Sequence, residues 1–211
     1  MPLRNRVDPW GDLHAEPARG MFTGNRGCLV DESGEIVRHH RGDLWITCVT
    51  EFRGRRNPLA RPGRWTPVFF LDEAVALAAG HRPCGYCRLD AYNAYCEAVG
   101  RARGNSSVPS APEINRLLKA ERYRPGRGLV RAADRVLWDA SIENLPAGCV
   151  IIPGDGQPRL LLADRMLAFS FAGWVDPVDR PRGTTVQVLT PPTSAAALAQ
   201  GFVPTLHPSA S

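Results

Sequence analysis

Two cysteines separated by two residues are the feature of this sequence with the clearest chemical potential. Cys84 and Cys87 follow Pro83 in the segment AVALAAGHRPCGYCRLD. Two thiolates from one tight turn can supply half of a tetrahedral zinc site. A Cys-x-x-Cys pair at the start of a helix can instead form a redox couple, because the helix macrodipole lowers the pKa of the first thiol.

A third interpretation is a zinc deaminase, whose signature joins Pro-Cys-x-x-Cys to His-x-Glu. His14 and Glu16 supply that second element, but Pro17 follows directly and a long stretch of chain separates the two halves. An alanine-rich segment ending at Gly80 precedes the cysteine pair, where a thioredoxin-like redox site has a buried strand. Of the three interpretations, the sequence favours a metal site that takes its other ligands from elsewhere.

The elements around the cysteine pair are predicted to be a small β meander followed by helices. Residues 20–52 have short apolar runs joined by DESGE and end in the β-rich run LWITCV. The next segment, RGRRNPLARPGRWTP, has the composition of a basic loop. Asp72 can cap a short helix that Gly80 terminates. Helical spacing of apolar residues predicts a second helix from about Cys87 to about Ala102.

The remainder of the chain is predicted to be rich in strands. Residues 104–112 have linker composition and divide the chain into units at 1–103 and 113–211. A helix begins near Pro112, and strands follow in GCVIIP, PRLLLA, RMLAFSF and TTVQVLT before a terminal helix in SAAALAQ. The predicted fold class is α+β, with an N-terminal zinc-bound β meander and helices, and a C-terminal, mostly antiparallel β domain.

The charge pattern favours an anionic partner. The net charge is +5, and nearly all of the basic residues are arginine, with Lys119 the single lysine. Arginines cluster near Trp45 and Trp65, which suits phosphate contact and base stacking, so we predict DNA as a partner. The alternative is a solvated loop. The predicted nucleic-acid-binding residues are Arg53, Arg55, Arg56, Arg61 and Arg64.

The stretch VFFLDEAVALAAGHRPCGYCRLD resembles the metal-binding domain of the bacterial alkylation-response protein Ada and similar zinc modules appended to some nucleases. In that family, an EALAAGFRPCKRC pattern supplies the last two of four zinc-bound cysteines. The resemblance covers roughly residues 44–90. It places Cys48 at the first family cysteine, which accepts a methyl group from a DNA phosphotriester, and Arg53 and Arg55 at a basic pair. Phe52 stands where the family has its second cysteine.

The resemblance implies a zinc-binding protein of DNA repair or processing, with Cys48 as the candidate catalytic nucleophile. Because Phe52 replaces one cysteine, a fourth zinc ligand must come from elsewhere. The candidates are Cys28, His39, His40 and His81. Cys28 is favoured because RGCLV is predicted to lie on a strand near Cys48. The predicted metal ligands are therefore Cys28, Cys48, Cys84 and Cys87.

Other observations limit the classes of function. No apolar run approaches the roughly 20 residues of a membrane helix, and the first residues carry charges and prolines, so a cytoplasmic location is expected. Cys96 and Cys149 are predicted to be core residues. No recognisable catalytic motif occurs in the C-terminal half. Two alternatives remain open. One is a nuclease or base-processing enzyme with its active site in that half or between the halves and a purely structural zinc; the other is a protein-interaction module.

Overall fold

A computed structural model describes residues 2–56, 58–104 and 107–211. In these residues, two six-stranded, mostly antiparallel sheets pack with four α-helices. The predicted α+β class is therefore confirmed. Within the same ranges, none of the helices combines the length and the apolar character needed to cross a membrane.

The first sheet is built from the N-terminal part of the chain. Its strands lie in the order β2-β1-β5-β3-β4-β6. The β1–β5 and β4–β6 pairs are parallel, and the other three pairs are antiparallel. The β4–β6 pair forms one edge of the sheet. The strands are β1 (Arg6–Val7), β2 (Leu13–His14), β3 (Phe22–Asn25), β4 (Ile46–Val49), β5 (Val68–Phe70) and β6 (Arg82–Pro83).

The second sheet is antiparallel throughout and has the order β11-β10-β9-β8-β12-β7. Four of its strands were expected from the sequence. The other two, β7 and β11, are the edge strands, and β11 contains Pro177, which an edge strand tolerates because it need not donate to a neighbour on both sides. The strands are β7 (Trp138–Ser141), β8 (Val150–Ile152), β9 (Arg159–Leu161), β10 (Arg165–Ser170), β11 (Gly173–Asp179) and β12 (Thr185–Val188).

The helices begin and end close to the predicted residues. Asp72 caps α1 by accepting a hydrogen bond from the Val75 N–H (3.0 Å), and Gly80 follows its end with a φ of +82°. A capping box between Ser110 and Glu113 starts α3. The helices are α1 (Glu73–Ala78), α2 (Leu89–Ala102), α3 (Ala111–Arg122) and α4 (Pro192–Ala199), with short 3-10 segments at Ala132–Asp134, Ile142–Asn144 and Pro208–Ala210.

Two apolar clusters form the core, and each contains residues from both predicted units. The first contains Val75 from α1 and Leu160 from β9. The second contains apolar residues of α2 together with Val188 from β12. Cys96 and Cys149 are buried in the second cluster, which confirms their predicted role as core residues. The helices of the N-terminal part are thus fixed in place by burial against the second sheet.

Two local features differ in detail from the sequence-based expectation. Residues 105 and 106 of the predicted linker lie outside the described residues, and Ala111 and Pro112 already belong to the first turn of α3. Cys28 does not lie on a strand. The Asn25 side-chain oxygen accepts the Gly27 N–H (2.7 Å), and the φ of +98° at Gly27 turns the chain out of β3 before Cys28 is reached.

A buried polar cluster around Arg26 lies beside the first sheet. The Arg26 side chain is fully buried, and its Nη1 donates to the Gly11 carbonyl (2.7 Å). Its Nε donates to Nε2 of His81 (3.2 Å). The guanidinium carbon is 4.3 Å from the centroid of the Trp45 ring. These contacts tie the turn after α1 to the N-terminal strands.

Three histidines in and around this cluster are held neutral. Burial, followed by the positive charge of Arg26, lowers the pKa of His39 to about 2 and that of His40 to about 4. The same two causes lower the pKa of His81 well below its ordinary value. In the unfolded chain each imidazole titrates near pH 6.5. Acid therefore protonates these groups in the unfolded state before it protonates them in the folded state.

The free energy of unfolding is expected to fall as the pH is lowered from 7 to 5. Because the folded pKa values are depressed, the unfolded state binds more protons in this window, and each histidine contributes a slope approaching about 1.4 kcal/mol per pH unit. Urea unfolding at a series of pH values measures the slope. The three histidines together contribute up to about three protons near pH 5, less the protons that His14, Asp72 and Glu121, whose pKa values are raised in the folded protein, bind in the folded state. A free energy of unfolding that does not fall between pH 7 and 5 would contradict neutral imidazoles in the folded protein.

Candidate metal centre

Three cysteines from two parts of the chain come together at the edge of the first sheet. The sulfur atoms of Cys48, Cys84 and Cys87 lie within 4.8 Å of one another. Cys48 is on β4, and Cys84 directly follows β6, the parallel neighbour of β4. The Cys84 N–H continues the ladder by donating to the Thr47 carbonyl (2.9 Å). Strand pairing therefore places Cys84 beside Cys48.

A tight turn brings the third sulfur to the other two. The Arg88 N–H donates to the Cys84 carbonyl (3.1 Å), which closes the turn around Gly85 and Tyr86. The Tyr86 N–H donates to the Cys84 sulfur (3.4 Å). Helix α2 begins at Leu89, directly after this turn. The CGYC segment is thus held by its own backbone in a form that presents both sulfurs on one side.

A buried ion pair anchors the turn to α1. Nη1 of Arg88 lies 2.7 Å from Oε1 of Glu73, and these side chains are 7% and 2% exposed. Oε2 of Glu73 accepts the Thr205 N–H (2.9 Å). The Arg88 guanidinium also lies 4.3 Å from the centroid of the Phe22 ring on β3. The residue after Cys87 is therefore fixed to the helix, to the sheet and to the C-terminal segment.

The pKa values of the three cysteine thiols are shifted in different directions. The hydrogen bond from the Cys48 thiol lowers the pKa of Cys84 to about 5 and raises the pKa of Cys48. Burial raises the pKa of Cys87. Cys84 is therefore the ionised member of the group, and the thiolate is the form that binds metals. Three sulfur donors converging in this way fit a soft or borderline metal ion.

The structure does not bring the predicted fourth ligand into this group. Among the described residues, the cluster of potential ligand atoms contains Cys48, Cys84 and Cys87 only. The Cys28 thiol instead lies 3.6 Å from the Val30 carbonyl, to which it donates. The alternative candidates are occupied elsewhere, because His39, His40 and His81 belong to or adjoin the Arg26 cluster.

A cavity of about 500 Å³ opens beside the three sulfurs. Phe52 lies in its wall with its ring 5.1 Å from that of Tyr86. The Arg53 guanidinium lies over both rings, at 5.1 and 5.9 Å from their centroids. Besides the three cysteines, the cavity is lined by Asn25, Ile46, Val49, Phe52, Arg53, Arg55, Trp65 and Tyr86.

The predicted nucleic-acid-binding arginines divide into two groups. Arg53 and Arg55 line the cavity, and reciprocal 3.0 Å hydrogen bonds between the backbones of Phe52 and Arg55 hold this loop. The other three, which are exposed but do not line the cavity, are Arg56, Arg61 and Arg64. Of these, Arg56 forms an exposed ion pair with Glu51, with Nε and Oε2 2.8 Å apart.

The zinc deaminase arrangement is not assembled. His14 lies on β2, and its Nε2 is 2.8 Å from Oδ2 of Asp8. It does not belong to the sulfur cluster among the described residues. The His-x-Glu element and the cysteine pair are therefore separate features of this fold.

The sequence does not predict that Trp65 and Tyr86 line the cavity beside the sulfur cluster. The sequence predicts Trp65 only as a neighbour of the arginines, and it predicts no role for Tyr86. Tyr86 carried a usable signal, because a large side chain in the middle of a two-residue cysteine turn must project outward. It is 71% exposed in the structure.

No family model matches this chain, and no curated protein or solved structure shows significant similarity to it. The sulfur cluster and the cavity beside it are therefore the evidence for the function of the site.

Replacing Glu73 by Gln is expected to destabilise both the fold and the cysteine turn. The substitution leaves Arg88 buried without its counter-charge, which costs about 3–5 kcal/mol. Urea unfolding measures the loss, and zinc competition with a chromophoric chelator measures the weakening of the site. Glu97→Gln is the matched control, because Glu97 is exposed on α2. A loss below about 1 kcal/mol in Glu73→Gln would contradict the anchoring role.

Proposed function

We propose that this is a zinc-binding, DNA-associated protein that acts in DNA repair or processing. One observation carries the proposal. The sulfurs of Cys48, Cys84 and Cys87 line the same cavity as two arginines and three aromatic rings. A site for a soft metal and a surface suited to phosphates and bases thus coincide.

Zinc is the metal that the donor set supports best. Cysteine thiolates are common ligands of tetrahedral zinc, and three protein ligands leave a fourth position for water or substrate. When bound, zinc would supply a Lewis acid at the wall of the cavity. The chain's own residues would hold the ion through Cys48, Cys84 and Cys87 and would keep the turn rigid through the Arg88–Glu73 pair.

DNA is supported by the chemistry of the remaining cavity wall. Arginine side chains bind phosphates through charge-assisted hydrogen bonds, and aromatic side chains stack on bases without regard to sequence. A volume of about 500 Å³ is that of a small-molecule site rather than a duplex groove. The cavity therefore suits one nucleotide unit of a single or distorted strand.

The resemblance to the Ada metal-binding domain supports the same proposal. It places Cys48 at the methyl-accepting cysteine and Arg53 and Arg55 at the basic pair, and all three line the cavity. The departure at Phe52 also lies in this wall. Phe52 therefore replaces a thiolate with an aromatic surface at the same site, which favours contact with a base over a fourth sulfur ligand.

We expect one zinc ion per chain in protein purified without chelators. Cys84→Ser removes the ionised sulfur at the centre of the cluster and should abolish retention of zinc. Cys28→Ser is the matched control and should retain it, because the Cys28 thiol is bonded to a backbone carbonyl outside the cluster. Elemental analysis measures the content. Absence of zinc from the wild-type protein, or its loss only in Cys28→Ser, would contradict the proposed site.

The double variant Arg53→Gln/Arg55→Gln is expected to weaken binding of a single-stranded oligonucleotide about tenfold or more at low salt and to reduce the dependence of log affinity on log salt by about 1.4. Fluorescence anisotropy at several salt concentrations measures both. Arg116→Gln/Arg182→Gln removes two exposed arginines outside the cavity and is the control. Binding that does not depend on salt would instead favour a protein-interaction module.

A second candidate function is an enzyme with a structural zinc and an active site between the two halves of the chain. A pocket of about 210 Å³ favours it, because Trp45 from the N-terminal half and Tyr123 from the C-terminal half both line it. Zinc-depleted protein that keeps a hydrolytic activity on nucleic acid would support this candidate over the first.

A further inference from the structure

The second pocket lies between residues 40–45 and the C-terminal end of α3, and its lining is strongly basic. Its volume of about 210 Å³ is below the range typical of drug-sized ligands. It therefore suits a small ion or the terminal group of a larger molecule. Its side chains include His40, Trp45, Lys119, Arg122, Tyr123 and Arg131.

The charge in and behind this pocket is balanced only from a distance, by Asp8 and Asp12 near Arg26 and Arg135 and by Asp43 near Arg122. Arg26, Arg122 and Arg135 are each less than 5% exposed. Within the described ranges, none of the three has a carboxylate oxygen within 4.0 Å of its guanidinium nitrogens. A buried charge without a counter-ion is costly. Three buried guanidinium groups close together without a contacting carboxylate favour binding of an anion from outside the chain.

Carbonyl groups and aromatic faces satisfy only part of these guanidinium groups. Nε of Arg122 donates to the Leu118 carbonyl (2.9 Å), and its Nη2 donates to the Asp43 carbonyl (2.9 Å). The guanidinium carbon lies 4.3 Å from the Trp45 ring centroid, the same distance as that of Arg26 from this ring. No described residue accepts a hydrogen bond from Nη1 of Arg122, and Nη2 of the fully buried Arg26 also has no partner.

Two of the other cations at the pocket, Arg131 and Lys119, are paired with carboxylates, whereas the third, Arg124, is exposed and has no carboxylate within 4.0 Å among the described residues. Arg131 contacts Asp134, with Nε and Oδ2 2.5 Å apart, and Lys119 contacts Asp43, with Nζ and Oδ2 2.8 Å apart. Asp43 itself lines the pocket. Arg122 is therefore the buried lining cation that no carboxylate contacts, with the exposed Arg124 at the same pocket and Arg26 at the same Trp45 ring adding to the positive potential.

The histidine network places a hydrogen-bond acceptor at the same pocket. Nε2 of His39 lies 2.8 Å from the Gly11 carbonyl and 3.6 Å from Oδ1 of Asp12. Nη1 of Arg26 is 3.2 Å from the same nitrogen but donates to the Gly11 carbonyl (2.7 Å), so we assign the proton to Nε2. Nδ1 of His39 must then accept, and Nδ1 of His40, 3.1 Å away, must donate. In neutral His40 this leaves Nε2 without a proton. The pocket thus offers a guanidinium for an oxyanion and an acceptor for a ligand hydroxyl.

We propose that this pocket binds a small phosphate-class anion, either inorganic phosphate or the phosphate group of a monoester. Hydrogen phosphate and singly protonated monoesters have both an oxyanion for Arg122 and a P–OH group for His40. A phosphodiester has the oxyanion but no such hydroxyl. The site is independent of the sulfur cluster, so it does not rest on the proposed zinc or DNA functions.

Thermal unfolding and calorimetric titration with inorganic phosphate, at constant ionic strength, test this site. Phosphate is expected to raise Tm in a saturable manner, as a ligand of the native state must, whereas sodium chloride at the same ionic strength should not. Dimethyl phosphate should bind at least about tenfold more weakly. Equal binding of dimethyl phosphate, or no saturable effect of phosphate, would overturn the proposal. A nucleoside monophosphate distinguishes the two sources by binding more tightly than free phosphate if a monoester is the ligand.

Substitutions at the exposed residues Asp43 and Lys119 test the site without the risk of misfolding that a buried substitution carries. Asp43→Asn removes the carboxylate that lines the pocket and should tighten phosphate binding about threefold or more, whereas Lys119→Gln should weaken it by a similar factor. Arg122→Gln should abolish binding if the variant folds. Arg116→Gln, exposed on the same helix, is the control and should bind as the wild type does. Unchanged affinity in both Asp43→Asn and Lys119→Gln would contradict the assignment.

Discussion

The parallel pairing of β4 with β6 is the contact on which the sulfur cluster depends. Strand β6 has only two residues and lies at the sheet edge, so its own backbone bonds cannot fix it. Arg82 holds it from outside, with Nε donating to the Asn115 side chain (2.8 Å). Gly80 allows the Arg122 side chain to pack against the turn before β6, because a Cβ at position 80 would lie 2.3 Å from Cγ of Arg122. A short strand is thus positioned by its flanks.

The parts of the fold that the sequence predicted are those determined by local chemistry. Asp72 and Gly80 delimit α1 because caps act within a turn, and the cysteine turn follows from its two-residue spacing. The position of Cys28 could not be predicted in the same way, since it depends on where the chain leaves β3. The side chain of Asn25 and the left-handed backbone of Gly27 decide that point, and their effect is to turn Cys28 away from Cys48.

Buried charge is treated in two different ways in this molecule. In the Arg88–Glu73 pair the two charges are in contact at 2.7 Å, and the second carboxylate oxygen of Glu73 accepts the Thr205 N–H, so the pair stabilises one arrangement of the cysteine turn without needing the charge of a ligand. Arg26 and Arg122 instead contact the ring of Trp45 and donate hydrogen bonds to backbone carbonyls. Sequence patterns do not distinguish these cases, because both consist of arginines near aromatic residues. Only the three-dimensional positions of the carboxylates separate a structural arginine from one that needs an anion.

The two candidate sites are linked through neighbouring residues at the ends of β3 and β4. Asn25 and Ile46 are register partners on β3 and β4, and both line the sulfur cavity. Arg26 directly follows β3 and Trp45 directly precedes β4, and these two residues contact each other in the basic cluster. Successive side chains of a strand point to opposite faces. The registration that brings Cys48 to its partners therefore also sets Trp45 against Arg26, so a one-residue slip between β3 and β4 would disrupt both sites together.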